Sequence, residues 1–146
     1  MFQVLAIAGL DPSGGAGLLR DAAEIVAAGG RAQGIATSLT VQDGRRFARH
    51  QPVDPGVLAE QLAMLADGPP PDAVCVGMLA TTPIVEVLAD YLERVRPAHV
   101  VYDPVLRASA GGALLDATGI GALIARLLPL VDVCTPNLDE VRRLFD

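Results

Sequence analysis

Short apolar runs rich in β-branched residues alternate with amphipathic segments along almost the whole chain. Such a run, bounded by turn residues, is typical of a buried strand. The segments between the runs carry apolar residues three and four apart, as amphipathic helices do. Repeated β-α units predict an α/β fold, a mainly parallel sheet with helices on both faces. The predicted strands are QVLAIA (3–8), GIATSLT (34–40), AVCVG (73–77), HVVYD (99–103) and VDVCT (131–135).

The segments between these strands are predicted helices. Asp54-Pro55 and Thr82-Pro83 each offer a capping side chain followed by proline at the first helical position. Gly29-Gly30 and Pro97 fall where two of the helical patterns end. The apolar faces are predicted to be Leu19, Ala22, Ala23 and Val26; Leu58, Leu62 and Leu65; Ile84, Leu88, Tyr91 and Val95; and Ile120, Leu123, Ile124 and Leu127.

Composition limits the kinds of partner. A chain of 146 residues, 51% of them hydrophobic, can bury the core of one domain, and no apolar run reaches the roughly 18 residues of a membrane span. The formal net charge is −6 and no basic cluster is interleaved with aromatic residues, so nucleic acid is not an expected partner. Cys75 and Cys134 lie in apolar runs without redox or metal-site spacing and are predicted to be buried thiols. We predict a cytoplasmic protein that binds neither membrane nor nucleic acid.

Polar or conformationally special residues follow each predicted strand. In an open parallel sheet, ligands bind outside the carboxyl ends of the strands, where loops and helix N-termini converge. The sequence therefore predicts one ligand site built from five distant parts of the chain. Its loops are GLDPSGGAG, TVQD, GMLATT, DPV and TPN, in chain order.

The first of these loops, AGLDPSGGAG at 8–17, supports two interpretations. Its glycines could turn backbone N–H groups toward an anion at the start of the following helix. It could equally be a tight strand-to-helix turn capped by Asp11 or Ser13. A Walker A loop is excluded, because that motif needs a lysine and all eleven basic residues of this chain are arginine.

Taken together, five blocks resemble the hydroxymethylpyrimidine/phosphomethylpyrimidine kinases of thiamine biosynthesis. The resemblance implies the three-layer fold of the ribokinase-like superfamily, here truncated to its N-terminal half. It also implies ATP-dependent phosphorylation of 4-amino-5-hydroxymethyl-2-methylpyrimidine and then of its monophosphate, with ATP and Mg²⁺ as cofactors. The blocks are IAGLDPSGGAGLLRD (7–21), SLTVQD (38–43), VGMLAT (76–81), DPVLRASAGGALL (103–115) and TPNLDE (135–140).

The resemblance also implies roles for individual residues. Gln42 offers a donor and an acceptor suited to an aminopyrimidine edge, and Met78 offers an adaptable apolar wall. Carboxylate and amide oxygens suit Mg²⁺, a cation that keeps several waters. The implied pyrimidine-binding residues are Gly9, Asp21, Gln42, Met78 and Val105, and the implied metal-site residues are Asp103, Asn137 and Glu140.

Each of these residues also has a purely structural interpretation. Asp21 could be a solvated carboxylate near a helix N-terminus, and Gln42 could simply end a strand. Met78 and Val105 would ordinarily belong to a core. Asn137 and Glu140 have the spacing of a capping box, which can coexist with a metal role.

The resemblance further implies that residues 1–146 are the N-terminal portion of a single kinase domain. The general base, the anion hole and most of the ATP-binding half are expected beyond Asp146, so no catalytic residue is assigned in this chain and the isolated chain is expected to be inactive. Residues 43–53 are predicted to form a substrate flap or a surface loop. The alternatives left open are a non-catalytic pyrimidine-binding fragment that needs a partner chain, a pyridoxal or sugar kinase of the same superfamily, and a homodimer.

The sequence departs from the family's pattern after DPV. Residues 106–112 read LRASAGG, which replaces a lysine, a serine and an acidic residue of the pattern. The loop on the phosphate side is therefore expected to differ from that of the family.

Overall fold

Six strands form one sheet in the order β3-β2-β1-β4-β5-β6. The computed structural model describes residues 1–108, 112–116 and 118–145. Four of the five strand pairings are parallel, and only β2 with β3 is antiparallel. This confirms the predicted mainly parallel sheet. The strands are β1 (Gln3–Leu10), β2 (Arg31–Gln42), β3 (Phe47–Pro52), β4 (Ala73–Val76), β5 (His99–Tyr102) and β6 (Val133–Cys134).

A helix follows every strand except β2, which a turn joins directly to β3, so the alternation predicted from the periodicity holds elsewhere. The Asp54 carboxylate accepts hydrogen bonds from the backbone N–H groups of Gly56 and Val57, which confirms the predicted cap of α2. None of the helices in the described ranges has the length and apolar character that crossing a bilayer requires. The helices are α1 (Gly17–Ala27), α2 (Pro55–Ala66), α3 (Thr82–Val95), α4 (Gly119–Ala122) and α5 (Leu138–Phe145), and α4 continues into a π-helical turn (Leu123–Leu127) and a 3₁₀ turn (Leu128–Leu130).

The sheet separates two cores of unequal size. Along β1, Leu5 and Ile7 point into the larger core, while Val4 and Ala6 point into the smaller one. The alternation follows from the period of two along a strand. The larger core also contains buried residues of α2 and α3, and the smaller one contains Ile25 of α1. Helices therefore cover both faces, which gives the predicted three-layer arrangement.

Four details of the sequence interpretation are wrong. Ile124, predicted on the apolar face of the fourth helix, is 42% exposed. Leu19 and Val26 of α1 are 46% and 61% exposed, because this helix buries only Ile25 against the small core. Cys134 is exposed, since it lies on the short edge strand β6. Thr82 is the first residue of α3 rather than its cap, and its hydroxyl donates a hydrogen bond to the Asp116 carboxylate at 2.7 Å.

Candidate functional site

A cavity of about 760 Å³ opens at the carboxyl ends of the parallel strands. The predicted loops converge there because parallel strands present their carboxyl ends at the same edge of a sheet. Asn137 and Glu140 lie outside the cavity lining, at the N-terminus of α5. The predicted site residues in the lining are Gly9, Asp21, Gln42, Met78, Asp103 and Val105.

The loop between β1 and α1 is organised by the buried carboxylate of Asp11. Its Oδ1 accepts hydrogen bonds from the Ser13 backbone N–H at 2.9 Å and the Ser13 hydroxyl at 2.8 Å. Its Oδ2 accepts one from the Ala16 backbone N–H at 3.1 Å. Asp11 therefore caps a tight strand-to-helix turn, as one of the two sequence interpretations predicts.

Close backbone packing explains Gly17, whereas Gly9 lies against the Met78 side chain. Gly17 has a φ of +58°, and a Cβ added there would lie 2.2 Å from the carbonyl oxygen of Gly9. A Cβ on Gly9 would lie 2.8 Å from the Met78 sulfur. Only hydrogen fits at position 17, so that the start of α1 can rest directly on the end of β1.

The carboxamide of Gln42 is held at the end of β2. Its Nε2 donates to the Thr40 hydroxyl at 2.9 Å, and that hydroxyl donates to the carbonyl oxygen of Leu10, also at 2.9 Å. This chain of bonds ties β2 to the end of β1. Among the described residues, the bond to Thr40 is the one that the Gln42 carboxamide makes, so its Oε1 and second amide hydrogen can serve a ligand.

The turn from Asp43 to Arg46 joins β2 to β3 and is fixed by one carboxylate. Asp43 Oδ1 accepts from the backbone N–H groups of Arg45 and Arg46, and Oδ2 accepts from the Arg46 guanidinium at 2.7 Å. The guanidinium and these N–H groups lower the pKa of Asp43. Residues 43–53 therefore belong to an antiparallel β-hairpin, and their role as a substrate flap stays a prediction.

This hairpin touches both sides of the cavity mouth. A Cβ on Gly44 would lie 3.5 Å from the Ser13 hydroxyl, in the loop before α1. On the other side, a Cβ on Gly112 would lie 3.5 Å from the Phe47 ring. The 43–47 segment therefore bridges the loop after β1 and the segment after β5.

The lining also holds two carboxylates, Asp21 and Asp103, whose pKa values are raised. Burial raises the pKa of Asp21, and the charge of Asp103 raises it further. Burial also raises the pKa of Asp103, followed by the charge of Glu140, while a hydrogen bond from Thr135 opposes both. Asp103 is exposed at the cavity wall, yet the surrounding walls remove part of the water around its carboxylate.

Asn137 and Glu140 form the predicted capping box. Asn137 Oδ1 accepts from the backbone N–H groups of Asp139 and Glu140, both at 3.0 Å. Glu140 Oε2 accepts from the Asn137 backbone N–H at 2.9 Å. Both lone pairs of the Asn137 oxygen are therefore occupied within the helix terminus.

Comparisons with known proteins show which family shares this architecture. The model of the phosphomethylpyrimidine kinase family matches residues 11–146. The chain belongs to this family. It is 39% identical over 144 residues to the hydroxymethylpyrimidine/phosphomethylpyrimidine kinase of Escherichia coli, and that alignment covers 99% of this chain and 54% of the relative. The match falls in the N-terminal half of such family members, so the chain spans about half their length.

Solved structures agree with the family assignment and confirm the ribokinase-like fold. The crystal structure of a phosphomethylpyrimidine kinase from Clostridium difficile is similar with a TM-score of 0.90 and 29% identity, covering 99% of this chain and 63% of that one. A pyridoxal kinase from Staphylococcus aureus, solved in complex with AMP-PCP and pyridoxal, is similar with a TM-score of 0.85 and 29% identity. That match covers 99% of this chain and 51% of the other.

Sequence reasoning about this family member missed several lining residues. Phe47 approaches the cavity from β3, and Cys75 approaches it from β4. Four arginines also line it, namely Arg20, Arg45, Arg46 and Arg107. All four lie in or directly after the strand-end loops, in the stretches GLDPSGGAG-LLR, TVQD-GRR and DPV-LR. Their nearness to the site could therefore have been predicted from topology, although their ion pairing could not.

We predict that Asp21→Asn stabilises the fold at neutral pH. Because the pKa of Asp21 is raised in the folded protein, its ionised form destabilises the fold, and this penalty is fully present above the folded-state pKa. The penalty disappears as the pH falls toward the ordinary value of 3.8. Thermal unfolding should therefore show a higher Tm for the variant at pH 7 and a shrinking difference in acid. Glu60→Gln, an exposed site on α2, is the control, and an equal gain there would contradict the interpretation.

Proposed function

We propose that this protein binds 4-amino-5-hydroxymethyl-2-methylpyrimidine in the strand-end cavity and contributes to its ATP-dependent phosphorylation in thiamine biosynthesis. The observation that carries the proposal is the convergence of Gly9, Gln42 and Met78 on one cavity at the end of the sheet. Its family relatives carry hydroxymethylpyrimidine/phosphomethylpyrimidine kinase names, which supports the substrate class. The proposal extends to the monophosphate as the second substrate.

The cavity has the chemistry that a flat aminopyrimidine requires. Gln42 is positioned to accept from the exocyclic amino group and to donate to a ring nitrogen. The thioether of Met78 and the side chain of Val105 offer apolar surface for the ring, and Asp21 can accept from an amino or hydroxyl group. A volume of about 760 Å³ lies within the usual range for small-molecule sites.

We assign the 43–53 hairpin the role of a substrate flap. Its turn already rests on the loop after β1 through Gly44, and Phe47 lies against the segment after β5. A small outward displacement of this turn would open the cavity between those two contacts. The hydrogen bonds of Asp43 keep the turn itself rigid, so the hairpin would move as a unit.

For the metal, we propose that Asp103 and Glu140 hold a hydrated Mg²⁺ together with phosphate oxygens of ATP. Mg²⁺ commonly binds through one or two carboxylates and keeps several waters, and the charge of Glu140 already acts on Asp103. Within the described residues, no three acidic, histidine or cysteine side chains converge to form a direct metal cage. Asn137 would contribute by orienting Glu140, because its own oxygen is occupied.

ATP would supply the transferred phosphoryl group, and Mg²⁺ would neutralise charge on its phosphates. The residues of this chain bind and orient the pyrimidine and exclude water from it. Since the chain matches about half of each relative, the proposal assigns it substrate binding and part of the metal site, and it assigns no general base among the described residues.

Gln42→Ala tests the proposal directly. We expect the affinity for the hydroxymethylpyrimidine, measured by calorimetry, to fall about tenfold to a hundredfold, because the polar edge of the ring loses its partner. Gln61→Ala, an exposed glutamine on α2, should leave the affinity unchanged. Unaltered affinity in Gln42→Ala, with the cavity otherwise intact, would refute the pyrimidine assignment.

A pyridoxal kinase function is the second candidate. A Bacillus subtilis pyridoxal kinase structure shares 34% identity with this chain at a TM-score of 0.84, which is a higher identity than that of the Clostridium difficile phosphomethylpyrimidine kinase. The same calorimetry with pyridoxal distinguishes the two. Tighter binding of pyridoxal than of the hydroxymethylpyrimidine would favour this second candidate.

A further inference from the structure

Two of the four arginines in the cavity wall are neutralised by neighbouring carboxylates. Arg20 pairs with Glu24 one helical turn away, at 2.7 Å. Arg46 pairs with Asp43, also at 2.7 Å. Within residues 1–108, 112–116 and 118–145, Arg45 and Arg107 take part in none of the ion pairs. Two positive charges of the lining therefore lack a compensating partner in the described part of the chain.

The backbone segments that carry these two arginines are hydrogen-bonded and lie beside each other. The Arg45 N–H donates to Asp43 Oδ1 at 3.0 Å, which fixes the turn. Arg107 pairs with Ala113 in a small antiparallel bridge, flanked by a hydrogen bond from the Ala108 N–H to the Gly112 carbonyl at 3.1 Å. Gly112 lies against Phe47, two residues beyond Arg45. The two guanidinium groups are thus carried by adjoining segments.

The carboxylates of the cavity do not neutralise these cations. None of the ion pairs in the described ranges joins Asp21 or Asp103 to Arg45 or Arg107. The cavity lining therefore contains two carboxylates and two guanidinium groups that do not pair with each other. Arg45 lies on the turn before β3, and Arg107 lies on the segment after β5.

We propose that Arg45 and Arg107 form a subsite for a phosphate group of the bound ligand. Guanidinium groups present paired N–H donors that match phosphate oxygens, and they remain charged at any relevant pH. This inference rests on the proposed function, in which the phosphate belongs to the phosphorylated pyrimidine. The subsite would therefore favour the monophosphate over the unphosphorylated alcohol. A phosphate of the nucleotide is the other source of the same chemistry.

The experiment measures dissociation constants for two matched ligand pairs and for ADP, using the full chain and the double variant R45Q/R107Q. The first pair is the hydroxymethylpyrimidine and its monophosphate, and the second is pyridoxal and pyridoxal 5′-phosphate. We expect the double variant to bind the monophosphate at least about tenfold more weakly, because hydrogen bonds to charged groups are strong. The unphosphorylated pyrimidine should bind within twofold of the original affinity.

Two further variants sharpen the test. Arg31→Gln removes one positive charge at the opposite end of β2, outside the cavity lining, and should leave all five affinities unchanged. R45K/R107K keeps the charges and loses the paired donors, so it should recover part of the preference for the monophosphate. Added salt should reduce the preference in the original protein, since the two arginines are exposed.

Each outcome either identifies the ligand that supplies the phosphate group, pyrimidine or nucleotide, or refutes the subsite. Weaker binding of ADP alone in the double variant would assign the phosphate to the nucleotide. Failure of both pyrimidines to bind the original protein would refute the proposed function, while an arginine-dependent preference for pyridoxal 5′-phosphate would still support the subsite. Equal weakening of both members of a pair, or no weakening of any phosphorylated ligand, would overturn it.

Discussion

Gly17→Ala is expected to lower the free energy of unfolding by about 2 to 5 kcal/mol. The residue has a φ of +58°, which costs an L-residue free energy, and the new methyl group would lie 2.2 Å from the Gly9 carbonyl oxygen. The contact cannot be relieved by a side-chain rotation because both partners are backbone. The start of α1 must therefore move away from β1. Urea denaturation measures the loss, and ligand binding in the cavity should weaken in the same variant.

Gly14→Ala is the matched control for this prediction. Gly14 also has a positive φ, +70°, but no heavy atom would lie within 4 Å of an added Cβ. Its substitution should therefore cost only the conformational strain of about 1 to 2 kcal/mol. Equal losses in the two variants would show that the backbone contact between Gly17 and Gly9 contributes nothing.

Leu62→Ala is expected to lower the free energy of unfolding by about 2 to 5 kcal/mol, because truncation of a buried leucine leaves a cavity in the core. Leu62 is 1% exposed in the larger core, on the face of α2 that packs against the rest of the molecule. Met64, two residues along the same helix, is 78% exposed. Met64→Ala should change the stability by no more than about 0.5 kcal/mol. A large loss in Met64→Ala would mean that this side of α2 is covered in solution.

The sequence allowed most of the fold to be predicted because its signals are local. Proline at the start of α2 follows a capping aspartate, and both act within one helical turn. The buried strands are marked by apolar, β-branched runs such as AVCV in β4. Prediction fails where the hydrogen-bond partner of a residue lies far away in the sequence. Thr82 was predicted to cap α3 itself, but it bonds instead to Asp116, which lies 34 residues later.

The site could be predicted in outline through topology alone. Once the sheet is parallel, Gly9, Gln42 and Asp103 must lie at the same edge, although they are far apart in the chain. The arginines of the lining lie in the same strand-end stretches, but their ion pairing does not follow from topology, since the pairing of Arg46 with Asp43 depends on the geometry of one turn. The exposure of Cys134 could not be predicted either, because an apolar run does not reveal that its strand has only two residues at the edge of the sheet.

α1 and α3 are anchored to the rest of the molecule by different numbers of buried side chains, and this difference affects how a ligand would be held. α1 buries only Ile25, whereas α3 buries six side chains. Segments with few buried apolar contacts open locally at lower free energy than well-packed ones. Asp21 lies on α1, so each local opening of this helix removes one wall of the cavity. A ligand that contacts Asp21 therefore fastens α1 to the sheet, and part of its binding free energy goes into ordering that helix.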